Sequence, residues 1–199
     1  MEKISHIGCK RKNIFYNACV MSVELEEFSL RHFIPQFREV NSATRANRKR
    51  LEPWFWWADI NSLDRFRFLL SGLLVEKIAR IAHDLPYNKK FIIRQDGKFA
   101  GVIGLDDVAQ NALRAELWIF VTENYLGAHV ASNAIKLIEE YATKKSIKNI
   151  YARVDQKNQN SKNMLAANDY ILEQTKLNFW RNEWETHWNK SLTNKSVEK

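Results

Sequence analysis

The feature that most constrains the fold is a change of hydrophobic period in the middle of the chain. Two short apolar runs flank Asp96-Gly97 in "KKFIIRQDGKFAGVIGLDDV", and this dipeptide between such runs is a strong hairpin signal. Residues 114–122, "RAELWIFVT", predict a third strand, which is central because its second half is almost entirely apolar. The period then becomes helical from about Gly127 to Lys144. The predicted buried face of that helix consists of Val130, Ala134, Leu137, Ile138 and Tyr141.

Further strands and helices are predicted on both sides of this centre. Residues 23–33 alternate in polarity as a strand does, and residues 35–51 contain helix formers. An aromatic loop follows at residues 52–62, where Ser62 can cap the next helix. The apolar residues of that helix are Phe66, Leu70, Leu73, Leu74, Ile78 and Ile81.

The last third of the chain predicts a strand, a short helix and a strand pair. The strand covers residues 147–155, the helix residues 160–169, and the pair the remaining segment up to about residue 192. The whole order predicts a mixed α/β (α+β) domain rather than a doubly wound parallel sheet.

The length and composition favour a single globular domain. The chain has 199 residues and is 45% hydrophobic, which is enough for one sizeable core. We expect one domain over residues 21–199, because Met21 opens the first strand-like segment, and an N-terminal extension over residues 1–20. Cys9 and Cys19 both lie in the extension and form no disulfide framework, so we expect a cytoplasmic protein.

The composition also excludes several kinds of function. No run approaches the roughly 20 apolar residues of a membrane span. The five histidines have no ligand-like spacing to the cysteines, so we expect no metal site. The net charge of +8 suits a polyanionic partner. However, the basic run at residues 45–50, "RANRKR", is more typical of a solvated face, and we do not expect a nucleic-acid partner.

Four stretches of sequence carry a resemblance to a known family. They are "LEPWFWWA" at residues 51–58, "AELWIFVTENYLG" at 115–127, "AIKLIEEYA" at 134–142 and "VDQKNQNSKNMLAANDY" at 154–170. In this order the chain resembles the GNAT acetyltransferases, and among them the Rim-type (RimJ/RimL-like) ribosomal-protein N-acetyltransferases. The resemblance implies a GNAT fold, a mostly antiparallel twisted sheet that splays between its fourth and fifth strands.

The resemblance also implies acetyl-CoA as the co-substrate. Its amide-bearing pantetheine arm can pair with a strand edge, and its phosphates suit backbone N–H groups at a helix N-terminus. The implied cofactor-binding residues are Trp118, Ile119, Phe120, Val121, Leu126, Gly127, Ala128, His129, Val130, Ala131, Ser132, Asn158 and Ser161.

The phosphate loop departs from the family pattern at two positions. The pattern Gln/Arg-x-x-Gly-x-Gly/Ala falls on Leu126 to Ala131, so a leucine replaces the first polar residue and His129 replaces the inner glycine. A side chain at the inner position can obstruct the phosphates, because the glycine allows close backbone approach. Alternatively, the imidazole of His129 can donate a hydrogen bond to them.

Two residues are candidates for the acetyl-transfer chemistry. Ser161 matches the family serine near the thioester sulfur and would protonate the departing thiolate; as an alternative it would cap the following helix. Glu116, at the start of the central strand, is close to the position of the general base in many GNAT enzymes. Its structural alternative is a charge paired with Arg114 or a lysine.

The acceptor side of the site is expected to be aromatic. We assign the substrate groove to Trp54, Trp56, Trp57 and Trp180. Rim-type enzymes tend to have a glutamate in the penultimate strand, where this chain has Phe179 or Trp180. Trp180, Trp184 and Trp188 would share one face of a strand or helix, and at least two of them would be in the core or a subunit interface.

These observations predict an acetyl-CoA-dependent N-acetyltransferase that acts on an amine, with a ribosomal or other protein N-terminus as the expected acceptor. The alternatives are acetylation of a small amine, such as a polyamine or an antibiotic, and a catalytically degenerate GNAT-fold binding protein. A homodimer is expected, because the tryptophan-rich C-terminal segment offers more apolar surface than one small domain easily hides.

Overall fold

The described part of the chain folds into an eight-stranded sheet with helices packed on both faces. The computed structural model describes residues 3–5, 22–82, 87–108, 114–179 and 181–192. The strands are β1 Lys3–Ser5, β2 Val23–Glu27, β3 Tyr87–Gln95, β4 Lys98–Val108, β5 Arg114–Val121, β6 Asn149–Asp155, β7 Ile171–Asn178 and β8 Glu183–Ser191. The helices are α1 Phe33–Ala46, α2 Arg48–Leu51, α3 Ser62–Ala82, α4 Val130–Lys144 and α5 Gln159–Ala166, with 3-10 turns at Leu30–His32, Trp56–Ala58 and Glu123–Tyr125.

The order of the strands confirms the predicted mixed α/β architecture. Across the sheet the order is β1-β2-β3-β4-β5-β6-β8-β7, and every neighbouring pair is antiparallel except β5 and β6. The short β1 lies within the predicted N-terminal extension and pairs with β2. Cys9 and Cys19 lie outside the described residues.

The hairpin of β3 and β4 forms where the sequence predicts it. Asp96 and Gly97 have φ angles of 51° and 76°, so both central residues of the turn are left-handed, as a type I′ turn requires. This turn sets the start of the register in which Gln95 faces Lys98.

The sheet opens between β5 and β6, the fourth and fifth strands if the short β1 is not counted. These two strands pair only from Arg114 opposite Asn149 to Glu116 opposite Tyr151. The remainder of β5, Leu117–Val121, still pairs with β4 on its other edge. In the described register, one backbone edge of β5 is therefore open over these residues, which confirms the predicted splay.

The central position of β5 follows from burial on both faces. Ala115, Leu117 and Val121 belong to a core cluster that includes the inner face of α4. Trp118 and Phe120 pack into a second cluster with α1 and α3. All five apolar residues predicted for the face of α4 are buried, as expected.

Two predicted details near the N-terminal half are wrong. The strand predicted over residues 23–33 ends at Glu27, because a 3-10 turn and then α1 begin within that range. The cap of α3 is Asn61, whose Oδ1 accepts a hydrogen bond from the Asp64 N–H at 2.9 Å, whereas Ser62 is already helical.

The apolar residues with helical spacing on α3 are only partly buried. Leu73 is in the core, and Phe66 and Leu70 pack against the same cluster. Leu74 and Ile78 are 46% and 59% exposed. No helix of the described residues is both long enough and apolar enough to cross a membrane.

Candidate active site

The open edge of β5 leads directly to the N-terminus of α4. After Val121 the chain forms the turn Glu123–Tyr125, and α4 begins at Val130. This is three residues later than predicted, because Gly127 and His129 have φ angles of 77° and 56°. A left-handed conformation at both positions interrupts the helix and directs the chain across the end of the open edge.

The backbone N–H groups of residues 127–132 are available to a ligand. No hydrogen bond among the described residues uses them as donors, and the first helical donor is the Asn133 N–H, 3.0 Å from the carbonyl oxygen of His129. A helix N-terminus with free N–H groups favours phosphate. The predicted phosphate loop therefore has the geometry for anion binding. The imidazole of His129 is exposed and lines a cavity of about 230 Å³ together with Gly127, Ala131 and Ser132.

Two further cavities continue from this loop along β5. One of about 400 Å³ contacts both the loop and Ser161, and one of about 510 Å³ contacts both Ser161 and Glu116. Of the residues predicted to bind the cofactor, those lining the two cavities are Trp118, Ile119, Phe120, Val121, Leu126, Gly127, Ala131, Asn158 and Ser161. Ala128 lines none of the described cavities, because it packs against the core.

The structure separates the two roles considered for Ser161. The N-cap of α5 is Asn158, whose Oδ1 accepts from the Ser161 N–H at 3.1 Å. Ser161 is therefore not the cap, and that alternative is wrong. No described hydrogen bond uses the hydroxyl group of Ser161, so the hydroxyl is available at the junction of the two cavities.

Glu116 is held by an ion pair that the sequence did not predict. Its carboxylate accepts two hydrogen bonds from Arg153, from Nε at 2.9 Å and from Nη2 at 2.7 Å, and a third from the Tyr151 hydroxyl at 3.3 Å. The carboxylate raises the pKa of Arg153 through these hydrogen bonds. Arg114, the partner considered from the sequence, instead lies over the Tyr151 ring, 5.2 Å from its centroid.

An aromatic pocket adjoins Glu116 on the α1/α3 side of the sheet. It has a volume of about 200 Å³, and its walls include Trp54, Trp56, Trp57 and Trp118. Trp57 packs edge-on against Trp118, with 6.4 Å between the ring centroids. Trp54, Trp56 and Trp57 therefore line one pocket next to Glu116.

The C-terminal tryptophans have different environments. Trp188 is buried in the core and donates from Nε1 to the Thr186 hydroxyl at 3.0 Å. Trp184 is 53% exposed and lines the 510 Å³ cavity. Phe179 is 85% exposed. Trp180, which was assigned to the groove, lies outside the described residues.

Comparison with known proteins agrees with this geometry. Residues 44–170 match the family described as "Acetyltransferase (GNAT) family". The chain belongs to this family. A GNAT member is an N-acetyltransferase that uses acetyl-CoA, and the open β5 edge with the free amides of α4 fits that molecule.

Several solved structures share the GNAT fold with this chain. The RimL ribosomal L7/L12 α-N-protein acetyltransferase in complex with CoA superposes with a TM-score of 0.72 at 15% identity, over 85% of this chain and 93% of that one. RimJ from Mycobacterium smegmatis, with CoA-disulfide, gives 0.70 at 20% identity, over 85% and 82%. Spermidine N-acetyltransferase from Vibrio cholerae, with CoA and spermine, gives 0.65 at 15% identity, over 85% and 95%. No curated protein matches the chain by sequence.

Sequence reasoning missed three polar residues of this GNAT site. Arg153 holds Glu116, Asp106 accepts from the Trp118 indole at 3.0 Å, and Arg50 donates to the carbonyl oxygen of Val121 at 2.5 Å. Asp106 and Glu116 are opposite each other on β4 and β5. The pairing of Glu116 with Arg153 and of Asp106 with Trp118 depends on strand register, which the sequence does not show. Arg50 belongs to the basic run that the sequence analysis assigns to a solvated face.

That basic run does not form one continuous helical face. α1 ends at Ala46 and α2 begins at Arg48, with Asn47 between them. Arg48 pairs with Asp59 and Glu52 at the surface, while Arg50 is half-buried. Among the described residues, no cluster of three or more histidine, cysteine, aspartate or glutamate side chains could hold a metal ion.

Proposed function

We propose that this GNAT enzyme acetylates the α-amino group of a protein N-terminus in the cytoplasm. The observation that carries the proposal is the continuous groove from the α4 N-terminus along the open β5 edge to Ser161 and Glu116. At its acceptor end the groove widens to about 510 Å³ between the Trp54–Trp56 loop and the β7–β8 hairpin. A groove open between two elements suits an extended peptide better than a compact molecule.

The residues of the groove support each step of acetyl transfer. Acetyl-CoA supplies the acetyl group as a thioester. An α-amino group has a pKa of about 8, so only a modest base is needed to produce the neutral amine at pH 7. The Glu116 carboxylate, oriented by Arg153, accepts one proton of the ammonium form. As the new C–N bond forms and the C–S bond breaks, the Ser161 hydroxyl protonates the thiolate and regains a proton from the newly acetylated nitrogen.

Acetylation of a small amine is a second candidate, and the aromatic pocket favours it. Trp57 and Trp118 stand beside the carboxylates of Asp106 and Glu116, and Arg65, Lys90 and Arg153 line the same pocket. Because these three cations oppose the effect of the two carboxylates, the indole faces are the groups that would attract an alkylammonium group. A diamine or polyamine could place one ammonium group in this pocket and present the other at Ser161.

A panel of acceptors separates the two candidates. Acetyl transfer from acetyl-CoA would be measured by mass spectrometry on peptides with free N-termini, on the same peptides with blocked N-termini and an internal lysine, and on spermidine. We expect the free peptides to be acetylated at the α-amine and the blocked ones to remain unmodified. Faster turnover of spermidine than of every peptide would select the small-amine candidate. Saturable CoA binding with no turnover of any amine would contradict both.

A further inference from the structure

Arg50 reaches from α2 to the end of the open β5 edge. Its Nη2 donates to the carbonyl oxygen of Val121 at 2.5 Å and to Oδ1 of Asn47 at 3.2 Å. The same Asn47 oxygen accepts from the Glu123 N–H at 3.0 Å. Arg50 is thus fixed at the point where the chain leaves β5 for the phosphate loop.

The guanidinium of Arg50 has donors that no group in the described part of the chain uses. Its Nε is buried without a hydrogen-bond partner, and no described hydrogen bond involves Nη1. Arg65 provides a contrast, because its Nε and both terminal nitrogens donate to carbonyl and amide oxygens. Arg94 is likewise held by the carboxylates of Glu26 and Glu39. The Nε of Arg50 has almost no exposed surface, so the donors that a ligand acceptor in the adjoining cavity can use are those of Nη1.

The charge of Arg50 is also poorly compensated. Burial lowers its pKa, and Glu123 opposes this effect through its charge without a described hydrogen bond to the guanidinium. A guanidinium remains protonated in proteins. The site therefore holds a fixed positive charge in a partly desolvated position, where an anion would be stabilised.

Arg50 shares a cavity with the predicted phosphate loop. It lines the cavity of about 400 Å³ together with Leu126, Gly127 and Ala131. The N–H groups of α4 and the guanidinium thus approach the same space from two different elements. We propose that Arg50 binds the pyrophosphate of acetyl-CoA opposite the N–H groups of residues 127–132. This proposal rests on the proposed position of acetyl-CoA in the groove.

The test is calorimetric titration with three probes: CoA, 3′-dephospho-CoA, which keeps the pyrophosphate, and pantetheine, which has no phosphate. Arg50→Gln would be compared with wild type and with Lys49→Gln. Lys49 is the exposed neighbour on the same helix, so its variant removes the same formal charge. We expect Arg50→Gln to weaken CoA and 3′-dephospho-CoA by about tenfold or more, as for a lost charge-assisted hydrogen bond. Pantetheine affinity would be unchanged, and Lys49→Gln would change all three affinities less than twofold.

The other outcomes overturn the proposal in distinguishable ways. Equal weakening of all three probes would mean that Arg50 only holds the Val121 backbone, and unchanged CoA affinity would remove Arg50 from the site. Equal losses in Arg50→Gln and Lys49→Gln would indicate a nonspecific charge effect. Failure of wild type to bind CoA would contradict the proposed function instead. If Arg50→Gln does not fold, Arg50→Lys replaces it in the test. The lysine keeps the charge but cannot donate to both the Val121 carbonyl oxygen and a phosphate, so we expect an intermediate loss of affinity for CoA and 3′-dephospho-CoA. Unchanged affinity for these two probes would overturn the proposal.

Discussion

The indole of Trp118 lies directly over Gly104 on the neighbouring strand. The two residues are register partners on β5 and β4, and a Cβ atom at position 104 would be 2.5 Å from the indole ring. The absence of a side chain at 104 allows the ring to lie across β4 and donate to Asp106. This pair therefore shapes one wall of the aromatic pocket.

Gly104→Ala should change acceptor binding more than CoA binding. The added methyl group displaces the Trp118 ring and its hydrogen bond to Asp106, and overpacking of this kind costs about 1–3 kcal/mol. We expect a several-fold change in acceptor KM with a smaller change in CoA affinity, measured by steady-state kinetics and calorimetry, because the ring lines the aromatic pocket whereas CoA would pair with the β5 backbone. Gly97→Ala is the control, because it strains a turn with φ of 76° away from the site. Gly97→Ala should lower Tm and leave the acceptor KM unchanged. If Gly104→Ala also left the acceptor KM unchanged, Trp118 would be excluded from acceptor binding.

Alanine substitutions at Ser161 and Asn158 should distinguish a catalytic role from helix capping. Ser161→Ala removes the hydroxyl that would protonate the thiolate, so kcat should fall while CoA affinity and Tm stay nearly constant. Asn158→Ala removes the cap of α5 and should lower the free energy of unfolding by about 0.5–2 kcal/mol. Kinetics, calorimetry and chemical denaturation of both variants test this. A normal kcat in Ser161→Ala would show that another group protonates the thiolate.

His129→Gly should tighten CoA binding and stabilise the protein. His129 has a φ of 56°, a left-handed conformation that costs a side-chain-bearing residue about 1 kcal/mol and that glycine adopts freely. Because His129 precedes the first helical residue, the usual penalty for glycine inside a helix does not apply. His129→Ala is the control that removes the imidazole and keeps the strained backbone. Weaker CoA binding in both variants would mean that the imidazole donates to a phosphate.

Lys90→Met should stabilise the protein most at neutral pH. Burial lowers the pKa of Lys90 from 10.5, and the charge of Lys89 lowers it further. The charges of Asp106 and Glu76 oppose this shift but do not cancel it. Between its lowered pKa and 10.5 the unfolded chain binds more protons at this residue than the folded one, so its unfavourable contribution shrinks as pH rises. We expect a gain on the order of 1–3 kcal/mol at pH 7 that decreases toward pH 10. Urea denaturation of both proteins at several pH values measures the difference, and a gain independent of pH would contradict this origin.

A homodimer should form through the edge strand β7. Ile171, Leu172 and Phe179 are 72%, 48% and 85% exposed on or beside this strand, which ends the sheet. Light scattering should give about twice the chain mass of 23.5 kDa. Ile171→Glu should reduce it to the monomer mass, whereas Leu74→Glu, on the exposed face of α3, should leave the dimer intact. A monomeric wild type at micromolar concentration would refute the prediction.

The local patterns of the sequence were sufficient for most of the elements of the fold. Asp96-Gly97 specified the hairpin, since this dipeptide readily takes the two left-handed conformations of a tight type I′ turn. The apolar run of β5 specified a strand buried on both faces, and the helical spacing from Val130 to Tyr141 specified the buried face of α4. These features depend on residues close in sequence. The predicted ends of the elements were less accurate. α3 begins after a cap at Asn61 and α4 begins after the left-handed residue His129, and several neighbouring residues in the sequence could have taken either role.

The tertiary structure alone decided which polar groups meet at the site. Glu116 and Arg153 are 37 positions apart and are joined because β5 and β6 pair in parallel over only three residues before they separate. Asp106 meets Trp118 because Gly104 leaves room between two registered strands. Arg50 turns inward because the chain breaks between α1 and α2 at Asn47, which rotates it away from its exposed basic neighbours. The sequence by itself determined the order of strands and helices, since hydrophobic period is a local property, and four of its stretches carried the resemblance to the GNAT enzymes. The ion pairs and the orientation of Arg50 required the folded chain, since register and helix breaks decide which distant side chains come within hydrogen-bonding distance.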